Sequence, residues 1–213
     1  MIQSKRKLLQ KGNSKLSKDG IYSWSLPAVK SCPMAGTCKI GCYATQGTFN
    51  FPNVKKAYAL NFALAKNHDR FYNSMQKEIS KLKHKSIIRI HASGDFFNKS
   101  YFYNWYSLAN DFPNVQFYAY SKMVLMIKEF KQDLIMLGKH WPDNLTIIFS
   151  EGGKQDSMIS ENNDRHARVF NSISELKKAG YANVTEHDIG AMGNNHKIGL
   201  VYHGAESKKW STQ

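Results

Sequence analysis

Cys32, Cys38 and Cys42 are the only three cysteines of this 213-residue chain, and all lie within SCPMAGTCKIGCY, residues Ser31 to Tyr43. Five residues separate the first pair and three the second. Three thiols and no fourth restrict what the stretch can bind. A structural zinc ion closes four ligands in a tetrahedron, so zinc here needs a histidine, and the nearest is His68, a whole predicted helix away. A [4Fe-4S] cube held by three cysteines instead leaves one iron without a protein ligand, open to a small molecule. The cube is the more economical expectation, with Cys₃His zinc as the alternative cofactor. A disulfide with one spare thiol is the bland reading, and a reducing compartment disfavours it. Pro33, Gly36 and Gly41 interrupt regular structure, and glycines let backbone N–H groups approach inorganic sulfur closely.

Two acidic residues offer a second chemistry. Asp95 follows the run SIIRIHASG, and Glu151 follows LTIIFS, so both stand at the ends of predicted strands. Carboxylates at strand ends converge across the mouth of a barrel, which would suit hydrolysis or glycosyl transfer with His91 nearby. Lone acids at strand ends equally form turns, and a histidine within a strand is more often packed than catalytic. His187, Asp188 and His196, in HDIGAMGNNHKIG, could ligate metal, but that Gly- and Asn-rich stretch reads first as a loop over the same mouth.

Composition bounds the partners. Thirty Lys and Arg against sixteen Asp and Glu give a formal charge of +14 and a pI near 9.6. Such a balance draws a protein toward polyanions, so a nucleic acid or nucleotide is the expected substrate or partner, with a solvated Lys-rich surface as the competing explanation. Lys5, Arg6, Lys7, Lys11, Lys15 and Lys18 crowd the first twenty residues, and Lys81, Lys83, His84 and Lys85 form a second cluster. With 42% hydrophobic and 13% aromatic residues the chain is globular rather than disordered. No apolar run approaches the roughly 18 residues of a membrane span and no leader is apparent, so a cytoplasmic protein is expected.

The elements that would carry these residues alternate. Ile21 to Val29 reads as a first strand feeding the cysteines, with Pro27 ending it early. Apolar residues then recur every three or four positions from Val54 to Leu82, which predicts one long helix or two broken near Asn67 to Asp69. Ile87, Ile88 and Ile90 predict a strand stopped by Ser93-Gly94. Helix over Tyr101 to Phe112, strand over Val115 to Tyr120, helix over Leu125 to Leu137 and strand over Leu145 to Phe149 follow. Helix over Val169 to Ala179, a short strand at Asn183 to Thr185 and a strand over Ile198 to Tyr202 complete the pattern. Repeated strand and helix predict a single α/β domain, a partial (β/α)₆ TIM-like barrel with parallel strands, over residues 21–206. Residues 1–20 read as a basic arm ordered by a partner, and 207–213 as a tail in which Trp210 docks.

A three-cysteine loop after the first strand, a long helix, and a second strand ending in glycine plus a carboxylate resemble the radical S-adenosylmethionine (SAM) enzymes. That resemblance implies a [4Fe-4S] cluster on Cys32, Cys38 and Cys42, SAM at the open iron, and a reductant protein. It implies that Ser93, Gly94 and Asp95 stand in for the motif that holds the SAM amino group, with Ser121, Ser150 and Glu151 near the ribose or methionine. The five-then-three cysteine spacing and Tyr43 after Cys42, rather than an aromatic before it, depart from the commonest pattern. Locally, SLPAVKSCPMAGTCKIGCYA, RIHASGDFF and FYAYSK look like the bacteriophage gene product 88 family, a likeness over about Trp24 to Lys122 that implies a phage protein acting in a host cell.

Overall fold

The computed structural model describes residues 6–11 and 14–202. Its strands, all in one sheet, are β1 (Gln10–Lys11), β2 (Tyr22–Trp24), β3 (Ile87–Ile90), β4 (Gln116–Ser121), β5 (Leu145–Ser150), β6 (His166–Phe170), β7 (Ala182–Asn183) and β8 (Lys197–Val201). Their spatial order is β1-β2-β3-β4-β5-β6-β8-β7. Every neighbouring pair is parallel except β1 with β2. The sheet is open. A closed TIM barrel would need the outer edge of β2 to pair with the last strand, and that edge is taken by β1, through Gln10 opposite Ser23 and Lys11 opposite Tyr22.

Helices α2 (Pro52–Ala65), α3 (His68–Ile79), α4 (Lys99–Asp111) and α5 (Val124–Met136) pack on one face of the sheet, and α1 (Ser14–Lys18) and α6 (Ile173–Lys178) complete the set. Alternation along the strands makes both faces apolar. Trp24, Ile88, Ile90, Phe117, Ala119, Leu145, Ile147 and Phe149 meet α2 to α5, while Tyr118, Ile148, Ala167 and Ile198 point the other way, onto Leu16, Ile21, Val184 and Ala191. Burial on both sides is the usual condition of parallel strands. Three of the α-helices start with a side-chain cap. The Asn67 side chain accepts from the Arg70 amide at 3.0 Å, which fixes the predicted break between α2 and α3, and Asn98 accepts from Tyr101 at 2.8 Å.

Two expectations change. The helix predicted from Val169 begins only at Ile173, because residues 166–170 are drawn into the sheet between β5 and β8 and Ser172 caps the helix by accepting from the Glu175 amide. Three residues of apolar periodicity cannot outvote a two-sided set of strand partners. The strand expected within Ile21 to Val29 is short, Tyr22–Trp24, and ends three residues before Pro27. The described part of the basic arm is docked rather than free: Leu9 and Leu16 are buried, and Arg6 donates to Asn61 Oδ1 at 2.5 Å. The expectations for residues 1–5 and 207–213, with Trp210, lie outside the described residues. Among the described residues no helix is long and apolar enough to cross a membrane.

Candidate functional site

The cysteine loop leaves the carboxyl end of β2 and is seated on the turn that leaves β5. Gly36 and Cys38 both donate backbone N–H groups to the Gly152 carbonyl at 3.1 Å, Ala35 bridges Gly153, and the Lys154 amide returns to the Met34 carbonyl at 2.9 Å. Two glycines make this approach feasible. A Cβ on Gly152, whose φ is +91°, would stand 3.1 Å from Cys38 Cβ, and one on Gly36 would stand 3.0 Å from the Gly152 oxygen. Asp156 holds the turn by accepting from the Gly152 and Gly153 amides at 2.7 and 2.9 Å. Sequence reasoning missed this clamp.

Between loop and sheet lies a cleft of about 200 Å³, lined by the three cysteines and by the residues that the radical SAM likeness implies for SAM: Cys32, Cys38, Cys42, Ser93, Gly94, Asp95, Ser121, Ser150 and Glu151. Proximity does not make them equivalent. Ser93 Oγ donates to the Leu26 carbonyl at 2.9 Å, and the Leu26 amide donates to the Ser93 carbonyl at 2.8 Å. Gly94, at φ +93°, lets the turn press on Ser31 and Leu26, where a Cβ would meet Ser31 Oγ at 2.6 Å. Asp95 Oδ1 accepts from the Phe96 amide and from Ser121 Oγ, both at 2.7 Å, and Oδ2 from the Lys122 amide at 2.8 Å. The Ser-Gly-Asp turn is therefore a clip joining the ends of β2, β3 and β4, and its carboxylate is already bonded within the protein. Glu151 is bonded as well, to Arg168 Nε at 2.5 Å, with the Tyr181 hydroxyl at 3.4 Å. Both carboxylates considered for hydrolysis thus line the cleft, and each is already hydrogen-bonded within the protein.

Burial sets the protonation states. It pushes the Cys32 thiol up to about 12, helped by the charge of Asp95, and raises Cys42, which Lys122 partly offsets. Asp95 is raised by the same desolvation against its three hydrogen bonds. His91 is lowered to about 3 by burial and then by Arg89, so its imidazole is neutral. It is held at φ +66°, with Nε2 2.9 Å from the Tyr101 hydroxyl, which also accepts from Trp24 Nε1 at 2.8 Å. The three cysteines are free thiols. Among the described residues no group of three or more His, Cys, Asp or Glu is arranged to hold a single metal ion. His68 is not one of the residues lining the cleft, and bonds Ser100 and stacks on Tyr103.

Of the polar wall of the cleft, sequence reasoning named only His91. Arg89, His91, Tyr120 and Lys122 line it. Behind Arg89 sits Asp188, which accepts from Arg89 Nη1 at 2.6 Å and the Tyr118 hydroxyl at 2.7 Å, and pairs with Lys15 at 2.5 Å. Burial alone would raise Asp188, but Arg89 and Lys15 outweigh it and hold the carboxyl below the ordinary range. Asp188 is thus a buried counter-ion, not a metal ligand. His187 binds Asp19, and the His196 carbonyl accepts from the His166 amide. The signal available in sequence was an arginine in the middle of an otherwise isoleucine strand, a charge that needs a partner once that strand is buried.

No solved structure matches the chain. It is 33% identical over 81 residues to the Gene 88 protein of Mycobacterium phage D29, an overlap of 36% of this chain and 34% of that relative, so the chain spans about a third of the curated protein it matches. These comparisons lend no support to the likeness to radical SAM enzymes. The family model described as gene product 88 matches residues 4–212, nearly the whole sequence, and the cleft built by its cysteine loop is accordingly that of a member of the gene product 88 family.

Proposed function

We propose that the cleft is an iron–sulfur site of radical-SAM type, acting on a nucleotide or nucleic acid. The observation that carries the reading is that three free thiols from one loop face a single cleft at the carboxyl ends of parallel strands, while that loop is fixed by backbone bonds to the turn after β5. The donor set suits a cube better than a zinc ion, because three cysteines leave one iron of a cube open, whereas a structural zinc ion closes four ligands. Cys32, Cys38 and Cys42 would hold the cluster, releasing their protons as it loads. Bound and reduced, a cluster of this kind supplies one-electron reduction of a sulfonium and the hydrogen abstraction that follows.

The chain's own residues then bind and position. Gly152 and Gly153 fix the loop that carries the ligands, and the buried clip at Ser93 to Asp95 sets the floor. Asp95 acts through Ser121 and Lys122, and Ser150, beside Glu151 and its partner Arg168, offers SAM a polar contact. The charge of +14 supports a polyanionic substrate.

Anaerobic purification, iron and sulfide analysis, and dithionite reduction with SAM followed by a search for 5′-deoxyadenosine test the reading. Brown protein with stoichiometric iron and sulfide and SAM-dependent 5′-deoxyadenosine are expected. A colourless protein with stoichiometric zinc would replace the enzyme with a zinc-stabilised binding module, and iron without turnover would remove SAM alone.

A further inference from the structure

We infer that Lys122 is the anchor of an oxyanion subsite in the cleft, taking the phosphate or carboxylate group of a small-molecule substrate. Its position is set twice over. The backbone amide is held by Asp95 Oδ2 at 2.8 Å, and Nζ donates to Ser150 Oγ at 2.8 Å. An ammonium has three donors, and a hydroxyl uses one. Among the described residues no carboxylate lies within ion-pair distance of this ammonium: the cleft's two acids are committed elsewhere, Asp95 to three donors and Glu151 to Arg168. Lys122 therefore faces the cleft without a direct ion pair, its charge felt by Asp95 only at longer range.

A second observation points the same way. Arg89 Nε, His91 Nδ1 and the Tyr120 hydroxyl all belong to residues lining this cleft, all are buried, and none has a hydrogen-bond partner among the described residues. His91 is only 3% exposed. Buried polar atoms left unpaired cost free energy, so unpaired atoms on residues that line the same cleft as Lys122 point to a hydrogen-bonding anion as its occupant. Arg89 and Lys15 share the single carboxylate of Asp188, so the wall itself also carries an excess of positive charge.

The subsite does not depend on a cluster. Calorimetric titration of the full chain, as purified, with inorganic phosphate and separately with acetate at low salt reads it directly. One saturable site per chain is expected, and the tighter of the two anions identifies the substrate group. K122M should lose affinity on the order of tenfold or more, K122R should keep it within about threefold, and K77M, which removes the same charge from exposed α3, should match the wild type. Equal binding by K122M and the wild type, or no saturable binding of either anion, overturns the inference. Should K122M fail to fold, S150A carries the test, because it frees the ammonium without removing it: weakened binding supports the subsite and unchanged binding overturns its geometry. Iron content measured on the same samples separates this result from the cluster reading.

Discussion

Asp95 Oδ2 accepts the backbone amide of Lys122 at 2.8 Å and so ties the turn after β3 to the end of β4, twenty-seven residues along the chain. The carboxylate that the motif comparison would have turned toward a ligand is turned toward the protein. Its three donors and its burial tie it to the protein, and Lys122, positioned through it, lines the same cleft.

Asp95→Asn therefore reads as a stability variant first. The amide places a donor against Ser121 or Lys122, leaving one buried group unsatisfied, at a cost of about 1–3 kcal/mol. Thermal or urea unfolding should show the loss. An Asn variant with unchanged stability and abolished ligand binding would instead put Asp95 on the ligand.

Gly94 and Gly138 separate backbone strain from contact. Both have positive φ, +93° and +65°, but a Cβ on Gly94 meets Ser31 Oγ at 2.6 Å and Leu26 Cβ at 2.7 Å, whereas Gly138 has nothing within 4 Å. Each alanine variant costs about 1 kcal/mol for the left-handed backbone. Gly94→Ala adds roughly 1–3 kcal/mol of overpacking, so it should unfold at clearly lower urea than Gly138→Ala.

His91 makes stability depend on pH. Its folded-state value, about 3, lies below the usual 6.5, so between those values the unfolded chain binds a proton that the native one does not, and stability falls as pH drops through that window. At pH 4.5 the loss attributable to His91 is roughly 2–3 kcal/mol relative to pH 7. His91→Gln should flatten this part of the curve in urea unfolding followed from pH 7 to 4.5. An unchanged slope would show that His91 is protonated in the native state.

The Arg89–Asp188 pair predicts a non-additive response. Asp188→Asn leaves Arg89 and Lys15 facing each other without their counter-ion and should cost about 3–5 kcal/mol. Replacing both partners, as Arg89→Met with Asp188→Leu, should cost less than Asp188→Asn alone, because the buried guanidinium goes with its counter-ion and only the partly exposed Lys15 is left unpaired. A double-mutant cycle by urea unfolding checks this, and strict additivity would show that the pair is not coupled.

The sequence alone determined the features that are local. The cysteine spacing, the run of isoleucines stopped by Ser93-Gly94, the break at Asn67 and the alternation of strand with helix are set by residues within a turn or two of one another. Two-state choices of that kind are fixed by periodicity, capping and turn chemistry. Only the tertiary structure decided what the polar residues do with their hydrogen bonds. Whether Asp95 faces a ligand or Lys122, whether Glu151 is free or paired to Arg168, and whether Asp188 holds a metal or neutralises Arg89 depend on partners 17 to 99 residues away. The same holds for β6, whose strand state comes from β5 and β8, and for the open sheet, whose first edge is filled by β1. Burial converts a polar side chain's many options into one, and burial is a property of the assembled fold.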